Sequence, residues 1–207
     1  VGITNAFNLL DNMDGLAAGM ALIACSVYFA IAAANSQFLV AVLSAGLAGC
    51  AAGFLRKNRY PARIYMGDGG ALFLGFLVAY LGLKLKVSGD GYQTFLVPVL
   101  VCAIAILDTT LVTVARLMSG RSPFQGGQDH ISHRLVSIGL PVPVAVGLIH
   151  SAAACIGVLS FVCSRVDPIS VWIIGGLVGL GLSAGGVLLW AVPVYPESQR
   201  PKFSFIE

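Results

Sequence analysis

Charged residues are scarce in this chain. Only 10% of its 207 residues are Asp, Glu, Lys or Arg, whereas 57% are hydrophobic and the mean hydropathy is +0.90. A water-soluble domain carries about a quarter charged residues to cover its surface. The composition therefore excludes a soluble globule and indicates a membrane protein. The net charge of +3 is too small to indicate a nucleic-acid partner.

Paired cysteines are missing as well. The five cysteines lie inside apolar runs, and none forms a C-x-x-C pair or is spaced with a histidine as metal ligands are. We interpret them as small apolar packing residues rather than as a redox or zinc site. They are Cys25, Cys50, Cys102, Cys155 and Cys163.

Long apolar runs, by contrast, fill most of the sequence. A membrane-spanning helix needs about 20 largely apolar residues. The segments that meet this requirement are 16–34, 37–55, 69–86, 94–118, 142–163 and 169–192. We therefore predict an all-α polytopic membrane protein with about six transmembrane helices. Residues 1–207 form a single transmembrane domain in this interpretation, and 193–207 form its tail.

The distribution of Lys and Arg predicts the orientation. Six spans place residues 1–15, 56–68, 116–141 and the tail on one side, and this side carries nine of the twelve Lys and Arg residues. The other three are Lys84, Lys86 and Arg165. The positive-inside rule makes the first side cytoplasmic, so the tail is cytoplasmic too. Three polar clusters then meet at the cytoplasmic mouth, which predicts a polar site on one side of the membrane.

The first polar cluster recurs every three residues and consists of Asn5, Asn8, Asp11 and Asp14. On a helix each step of three turns back by about 60°, so such a row can line a pocket. It would present amides and carboxylates to a base, a ribose or a hydrated cation. A solvated helix start with N-caps is the alternative, although a cap needs only one such residue. An EF-hand is excluded because its ligand spacing and closing Glu are missing.

The second cluster is Asp68, flanked by Gly67, Gly69 and Gly70 at the start of a span. Glycine lets a backbone approach phosphate closely, and a helix N-terminus favours anions. A lone Asp there suits Mg²⁺, which is typically held by one or two carboxylates together with substrate phosphates. A glycine-rich turn with Asp68 as N-cap explains the same residues.

The third cluster contains Asp129, His130, His133 and Arg134, after a loop rich in Gly, Ser and Pro. If this stretch is helical, the two histidines are neighbours on one face and can hold a diphosphate together with Arg134. A polar loop with incidental histidines is the alternative. A zinc site is disfavoured because no cysteine lies nearby and no H-E-x-x-H motif is present.

Two further polar residues lie within spans. Asp108 needs a partner in the membrane, and Arg116, eight residues on, is too far for a direct pair along a straight helix. A structural hydrogen-bond network and a site role both remain open for Asp108. We predict that His150 is a packing or interhelical hydrogen-bonding residue rather than a ligand.

Taken together, these motifs resemble the signatures of the polyprenyl-phosphate N-acetylhexosamine-1-phosphate transferases, glycosyltransferase family 4. The resemblance covers about residues 1–136. The matching segments, in order, are 5–15 (NAFNLLDNMDG), 61–68 (PARIYMGD) with 73–75 (FLG), 108–116 (DTTLVTVAR) and 129–135 (DHISHRL). The short histidine motif is more similar to the branch that initiates wall and surface polysaccharides than to the peptidoglycan branch.

The resemblance implies transfer of a sugar-1-phosphate from a UDP-sugar to undecaprenyl phosphate, with release of UMP. The reaction would occur at the cytoplasmic face of the plasma (inner) membrane. Asp68 is implied as the catalytic ligand of Mg²⁺, for which Mn²⁺ can substitute, with Asp11 and Asp14 as its catalytic neighbours. The resemblance implies that Asn5 and Asn8 bind the nucleotide. It also implies that the diphosphate and sugar are held by His130, His133 and Arg134. A homodimer is compatible with the family.

The chain departs from the family pattern in three respects. The family has about ten spans and an Asp-Asp motif in its N-terminal half, whereas no Asp-Asp pair occurs here and the chain begins with Val1. We therefore expect a C-terminal fragment without the N-terminal spans, inactive by itself. Ala71 stands where a serine is common, which puts one phosphate hydrogen bond in question. Ser132 stands where related enzymes often have a third histidine, which bears on sugar preference.

Two other classes of protein fit parts of the pattern. A transporter or channel component without enzymatic activity is compatible with six spans and Asp108, although transport sites tend to lie at the midplane between repeats, and no repeat is visible here. A CDP-linked phosphatidyl-alcohol transferase also needs several aspartates, but residues 11–15 do not complete its signature. The nucleotide that the protein uses separates the three classes. The sugar-1-phosphate transferase would use a uridine nucleotide, the CDP-linked enzyme a cytidine nucleotide, and a transporter none. The sequence does not identify the UDP-sugar.

Overall fold

The computed structural model describes residues 1–87, 91–122 and 127–192 of the chain. The predicted tail 193–207 lies outside the described residues. Within these ranges the regular structure is entirely helical. The helices are α1 (Gly2–Leu10), α2 (Leu16–Ala34), α3 (Phe38–Asn58), α4 (Gly67–Lys84), α5 (Gly91–Val101), α6 (Ala103–Met118), α7 (Ile131–Ser137), α8 (Val142–Cys163) and α9 (Pro168–Trp190).

The predicted all-α, multi-pass fold is confirmed. Five helices are long and apolar enough to span a membrane, namely α2, α3, α4, α8 and α9, and α5 with α6 forms a sixth candidate. The predicted bounds of α2 and α8 are the observed ones. The ends of α3, α4 and α9 differ from prediction by one to three residues, because helix termini are set by local caps rather than by hydropathy.

The predicted fourth span, 94–118, is not one straight helix. It is divided into α5 and α6, which meet at Cys102 with a bend of 69°. Pro98 lies inside α5, four residues before the break, and has no N–H to donate to the carbonyl of Thr94. The Cys102 N–H donates to the Pro98 carbonyl at 3.1 Å. This bend tilts α6 away from the axis of α5.

Residues 1–15, which we predicted to lie together at the mouth of the bundle, begin as a packed helix. Helix α1 packs against α4 and α6 and buries Ala6, Phe7 and Leu10. Gly75 of α4 makes this close approach feasible. A Cβ at that position would lie 2.7 Å from the Phe7 Cβ and 3.0 Å from the backbone of Thr4. Only the end of α1, at Asp11, reaches the polar end of the bundle described next.

Side-chain hydrogen bonds join the helix connections at both ends of the bundle. At one end Gln37 bonds to the backbone of Lys86, and Gln93 donates to the carbonyl of Val166 at 2.8 Å. The opposite end, which we call the polar end, contains residues 11–15, 59–66 and the described part of 119–141. Among the described residues, Asp14 bonds to Ala62 and Ser132 bonds to Asn12, so parts of all three polar clusters meet at this end. Its location on the cytoplasmic side stays a prediction.

We predict that Gly75→Ala lowers the free energy of unfolding by about 1–3 kcal/mol, because the added methyl overpacks the α1–α4 contact. Thermal unfolding in detergent measures the loss. The matched control is Gly46→Ala in α3, where an added Cβ meets nothing within 4 Å, so stability should stay unchanged or rise. Equal effects of both substitutions would contradict this packing.

Candidate active site

The loop after α3 is tied to the turn between α1 and α2 by two side chains. The buried Asn58 accepts from the Gly15 N–H at 3.1 Å and donates to the carbonyl of Ile64 at 2.9 Å. Asp14 accepts from the Ala62 N–H at 2.8 Å through Oδ2. One carboxylate oxygen of Asp14 is therefore used to hold the loop that leads into α4 and Asp68.

Asp11 and Asp68 are electrostatic neighbours at the polar end. Asp11 directly follows α1 and is half-buried, whereas Asp68 lies exposed in the first turn of α4. Burial, and then the negative charge of Asp68, raise the pKa of Asp11 to about 6 from its usual value of 3.8. A bound cation near these carboxylates would relieve this repulsion.

The side chain of Asn8 provides an amide oxygen one turn before Asp11. The Asn8 Oδ1 is buried and has no hydrogen-bond partner among the described residues. It lies three residues before Asp11, one turn away along α1. A buried acceptor without a donor is uncommon and costs free energy unless something else satisfies it. Asn8, Asp11 and Asp68 thus provide oxygen atoms of the kind that hard cations prefer.

These residues fit a magnesium site that substrate phosphates complete. Among the described residues no group of three or more His, Cys, Asp or Glu side chains is arranged to hold a metal by itself. Mg²⁺ does not require such a cage, because it is usually bound by one or two carboxylates, water and phosphate oxygens. Asp11 and Asp68 are the residues that would hold the ion.

Asn5 is separated from the rest of its row. It is exposed and lies six residues before Asp11, about 9 Å away along the helix axis. Its side chain therefore starts further from the acidic pair than Asn8 does. The four residues that recur every three positions therefore have different surroundings. Asn5 lies on the helix, Asn8 and Asp11 lie near the acidic pair, and Asp14 binds the loop.

The third cluster is fixed to α6 by Asp108. One oxygen of this buried carboxylate lies 2.7 Å from the His130 Nδ1, and the other accepts the Ile131 N–H at 2.7 Å. Both oxygens are thus used at the start of α7. This answers the question that the sequence left open: Asp108 belongs to a hydrogen-bond network that holds α7.

A second buried pair lies beside the first. The Arg116 guanidinium donates to both oxygens of Asp129, from Nε at 2.8 Å and from Nη2 at 2.7 Å. Burial raises the pKa of Asp129, but the hydrogen bonds and charge of Arg116 outweigh burial and hold this pKa below its usual value. Asp129 is therefore ionised at neutral pH, and α7 is joined to α6 at two successive residues.

Arg134 contacts the end of α9 rather than the acidic pair. It is buried, its Nε donates to the backbone carbonyl of Asp129 at 2.9 Å, and its Nη1 donates to the carbonyls of Leu189, Trp190 and Val192 at 3.0–3.3 Å. A cation near a helix C-terminus satisfies carbonyls that have no partner within the helix. The described contacts of Arg134 thus have a structural function, and its place in a diphosphate clamp stays a prediction.

His133 is the member of this cluster that reaches solvent. It is half-buried, and its ring centroid lies 6.3 Å from that of His130. Burial, and then the neighbouring His130, lower the pKa of His133. A neutral imidazole at neutral pH can both donate and accept hydrogen bonds. Next to it Ser132 donates to Asn12 at 2.6 Å, which joins α7 to the segment that contains Asp11.

Comparison with known proteins shows the family to which this chain belongs. The model of the family described as "Glycosyl transferase family 4" matches residues 1–86, which include Asn8, Asp11 and Asp68. The chain is 35% identical over 150 residues to the "Probable undecaprenyl-phosphate N-acetylglucosaminyl 1-phosphate transferase" of Bacillus subtilis (strain 168), covering 72% of this chain and 42% of that protein. The chain belongs to glycosyl transferase family 4.

Other relatives of this glycosyl transferase family 4 chain have related names. It is 33% identical over 180 residues to the "Decaprenyl-phosphate N-acetylglucosaminephosphotransferase" of Mycolicibacterium smegmatis, covering 78% of this chain and 44% of that protein. It is 46% identical over 91 residues to the "Phospho-N-acetylmuramoyl-pentapeptide-transferase" of Chlamydia trachomatis serovar L2, covering 42% of this chain and 27% of that protein. The chain spans less than half the length of these curated relatives.

Sequence reasoning missed several residues that shape the site in this family member. Asn12, Asn58 and Arg116 had no assigned partners, yet each fixes one of the three segments at the polar end. Little in the sequence indicated that these residues join segments, because a single amide or cation next to a span is also compatible with a solvated surface. His150, by contrast, forms the predicted interhelical hydrogen bond, 3.1 Å from its Nε2 to the carbonyl of Leu16.

We predict that Asp11→Asn changes the pH dependence of stability. The pKa of Asp11 in the folded chain, about 6, lies above 3.8, so the folded state holds its proton more tightly than the unfolded chain does. Stability is therefore expected to fall as pH rises from about 4 through 6. Asp11→Asn should abolish this fall in thermal-unfolding scans without divalent cations.

The matched control is Asp167→Asn at the other end of the bundle. Hydrogen bonds from Ser170 hold the pKa of Asp167 below its usual value, so this carboxylate stabilises the fold above pH 3.8. Removing it should lower stability at neutral pH, the opposite sign to Asp11→Asn. An unfolding temperature that does not depend on Asp11 between pH 4 and 7 would contradict the repulsion between Asp11 and Asp68.

We also predict that Asp108→Asn reverses the tautomer of His130. A carboxylate accepts a hydrogen bond from Nδ1–H, whereas an amide group at the same position has its NH₂ available to donate to Nδ1. The chain has three histidines, so ¹⁵N NMR of histidine-labelled protein resolves each ring. The signals of His150 serve as the internal control, and unchanged ¹⁵N shifts of His130 would contradict the assignment.

Proposed function

We propose that this protein transfers a sugar-1-phosphate, N-acetylhexosamine-1-phosphate, from a UDP-sugar to a polyprenyl phosphate such as undecaprenyl phosphate, releasing UMP. The observation that carries the proposal is the acidic pair, Asp11 and Asp68, at one end of a membrane bundle. The names of the relatives support the reaction class. In this proposal the product initiates a cell-wall or surface polysaccharide.

The two substrates explain why such a site belongs at the end of a bundle. A polyprenyl phosphate keeps its hydrocarbon chain in the lipid and its phosphate at the membrane surface. A UDP-sugar is soluble and comes from the cytosol. Only a site at the membrane surface is accessible to both, and the positive-inside rule favours the cytoplasmic side for the polar end. We infer a plasma-membrane protein whose site is cytoplasmic.

The proposed reaction exchanges one bond at phosphorus. An oxygen of the acceptor phosphate forms a bond to the β-phosphorus of the UDP-sugar, and the bond from that phosphorus to the bridging oxygen breaks. UMP leaves with the electron pair, and the lipid retains a diphosphate that carries the sugar. The negative charge of both reactants makes charge neutralisation the main catalytic requirement.

The residues of this chain have distinct proposed roles. Asp11 and Asp68 would hold Mg²⁺, which would supply positive charge to the donor diphosphate, and the unpartnered amide oxygen of Asn8 is one turn away on α1. His133, neutral because of its lowered pKa, hydrogen-bonds to substrate oxygens at the same mouth. Asp108 acts as a positioning residue through His130. The roles of Asn5 at the nucleotide and of Asp14 in catalysis stay predictions, as does a homodimer.

The transporter alternative relied on Asp108 as a polar group inside the membrane. Both oxygens of that carboxylate are occupied by His130 and Ile131 at short distances. A substrate or ion pathway would need at least one of them. The contacts therefore favour the transferase over a transporter with its site at the midplane.

We predict that Asp68→Ala in the full-length protein lowers turnover by at least about a hundredfold, because a metal ion contributes several kcal/mol to stabilising charge in such reactions. Transfer of label from a UDP-sugar to lipid in membranes measures turnover. Membrane insertion should be unaffected, since Asp68 is exposed.

The matched control for this experiment is Asp167→Ala, which removes an exposed carboxylate from the opposite end of the bundle. It should keep the turnover of the unmodified protein. Normal turnover of the Asp68→Ala variant would refute the metal assignment. Absence of transfer from any UDP-sugar in the unmodified, inserted protein would refute the transferase proposal itself.

A further inference from the structure

The segment that joins α3 to α4 is strongly basic. Between positions 56 and 67 it contains four cations and no acidic residue. They are Arg56, Lys57, Arg59 and Arg63. All four are exposed or partly exposed, and within the described ranges none forms an ion pair with a carboxylate. Four like charges this close repel one another, and an anion bound from outside the chain would relieve that repulsion.

The four side chains surround one cavity. Its volume is about 640 Å³, and Tyr60 and Pro61 complete the lining. This volume lies within the range of small-molecule pockets, about 300–1,000 Å³. Neither Asp11 nor Asp68 lines the cavity. It is therefore separate from the acidic pair of the candidate active site.

The segment has an ordered backbone. The Arg63 N–H donates to the carbonyl of Lys57 at 2.7 Å, and Asn58 bonds to Ile64 across the loop. The Ala62 N–H is bound by Asp14. The backbone positions that carry the cations are therefore fixed, which lowers the entropy cost of binding a ligand.

The terminus of α3 does not account for the whole cluster. Arg56 and Lys57 lie in the last turn of α3 and Arg59 is its C-cap residue, where cations complement the partial negative charge of the helix terminus. Arg63 lies four residues beyond the C-cap and lines the same cavity. Arginine is the side chain best suited to bind phosphate oxygens with two parallel hydrogen bonds.

The depth of the cluster in the membrane indicates the source of the phosphate. The cations lie in the last turn of the 21-residue helix α3 and within five residues of its end, at the level where a spanning helix meets lipid headgroups. Tyr60 and Tyr65 are 53% and 77% exposed, as amphipathic aromatic residues at that level typically are. Clusters of cations at this position attract anionic lipids.

We propose that this basic cavity binds the phosphate headgroup of an anionic phospholipid, such as phosphatidylglycerol, and so fixes the site-bearing loop at the membrane surface. The proposal does not depend on the transferase activity. The same loop contacts Asp14 and leads within five residues from Arg63 to Asp68. A bound headgroup would hold both acidic segments at the level of a phosphate-bearing lipid substrate.

Native mass spectrometry of the full-length protein in detergent tests this, with phosphatidylglycerol and phosphatidylcholine titrated separately. We expect the first phosphatidylglycerol to bind at least about fivefold more tightly than phosphatidylcholine, the preference expected from one effective cation. Arg59→Gln with Arg63→Gln should remove most of this preference. Both side chains are exposed, so the double variant should fold.

The matched control is Lys84→Gln with Lys86→Gln, which removes two cations from the opposite end of the bundle. This variant should keep the lipid preference. Equal affinities for the two lipids in the unmodified protein, or an equal loss in both double variants, would overturn the proposal. Displacement of bound phosphatidylglycerol by UDP would also overturn it, because the cavity would then belong to the nucleotide donor.

Discussion

A charge buried among membrane helices must be paired, and in this protein that constraint positions the whole polar end. Asp108 and Arg116 lie eight residues apart on α6, both almost fully buried, and their partners are the successive residues His130 and Asp129. Removing one partner of a buried pair costs about 3–5 kcal/mol. Helix α7 therefore cannot move away from α6 without exposing two unpaired charges, and its attachment orients His133.

The other segments are held by individual hydrogen bonds to backbone or amide groups, which leaves the acidic pair as the place where unfavourable charge accumulates. Asn58 and Asp14 fix the loop before α4, and Ser132 joins α7 to Asn12. Within this frame Asp11 and Asp68 repel each other, and Asp11 holds its proton up to a pH of about 6. A fold stabilised elsewhere can maintain such repulsion at a site where a bound cation would neutralise it.

The sequence predicted the spans well because each is a long apolar run, and the even number of crossings brought the three polar clusters to one end. It did not predict the bend at Cys102, since hydropathy does not register a change of helix direction and Pro98 is tolerated inside spans. Nor did it pair Asp108 with His130, because 22 residues and a loop separate them. Arg134 was assigned to substrate from its neighbours in sequence, whereas its described contacts are with α9.

The nucleotide product tests the central claim most directly. The full-length protein, in membranes with undecaprenyl phosphate and Mg²⁺, is given a UDP-N-acetylhexosamine labelled at the β-phosphate. Transfer of a sugar-1-phosphate predicts that the label appears in lipid and that UMP is released in equal amount. Release of UDP with no label in lipid, or retention of the intact UDP-sugar, would contradict a sugar-1-phosphate transferase at the acidic pair.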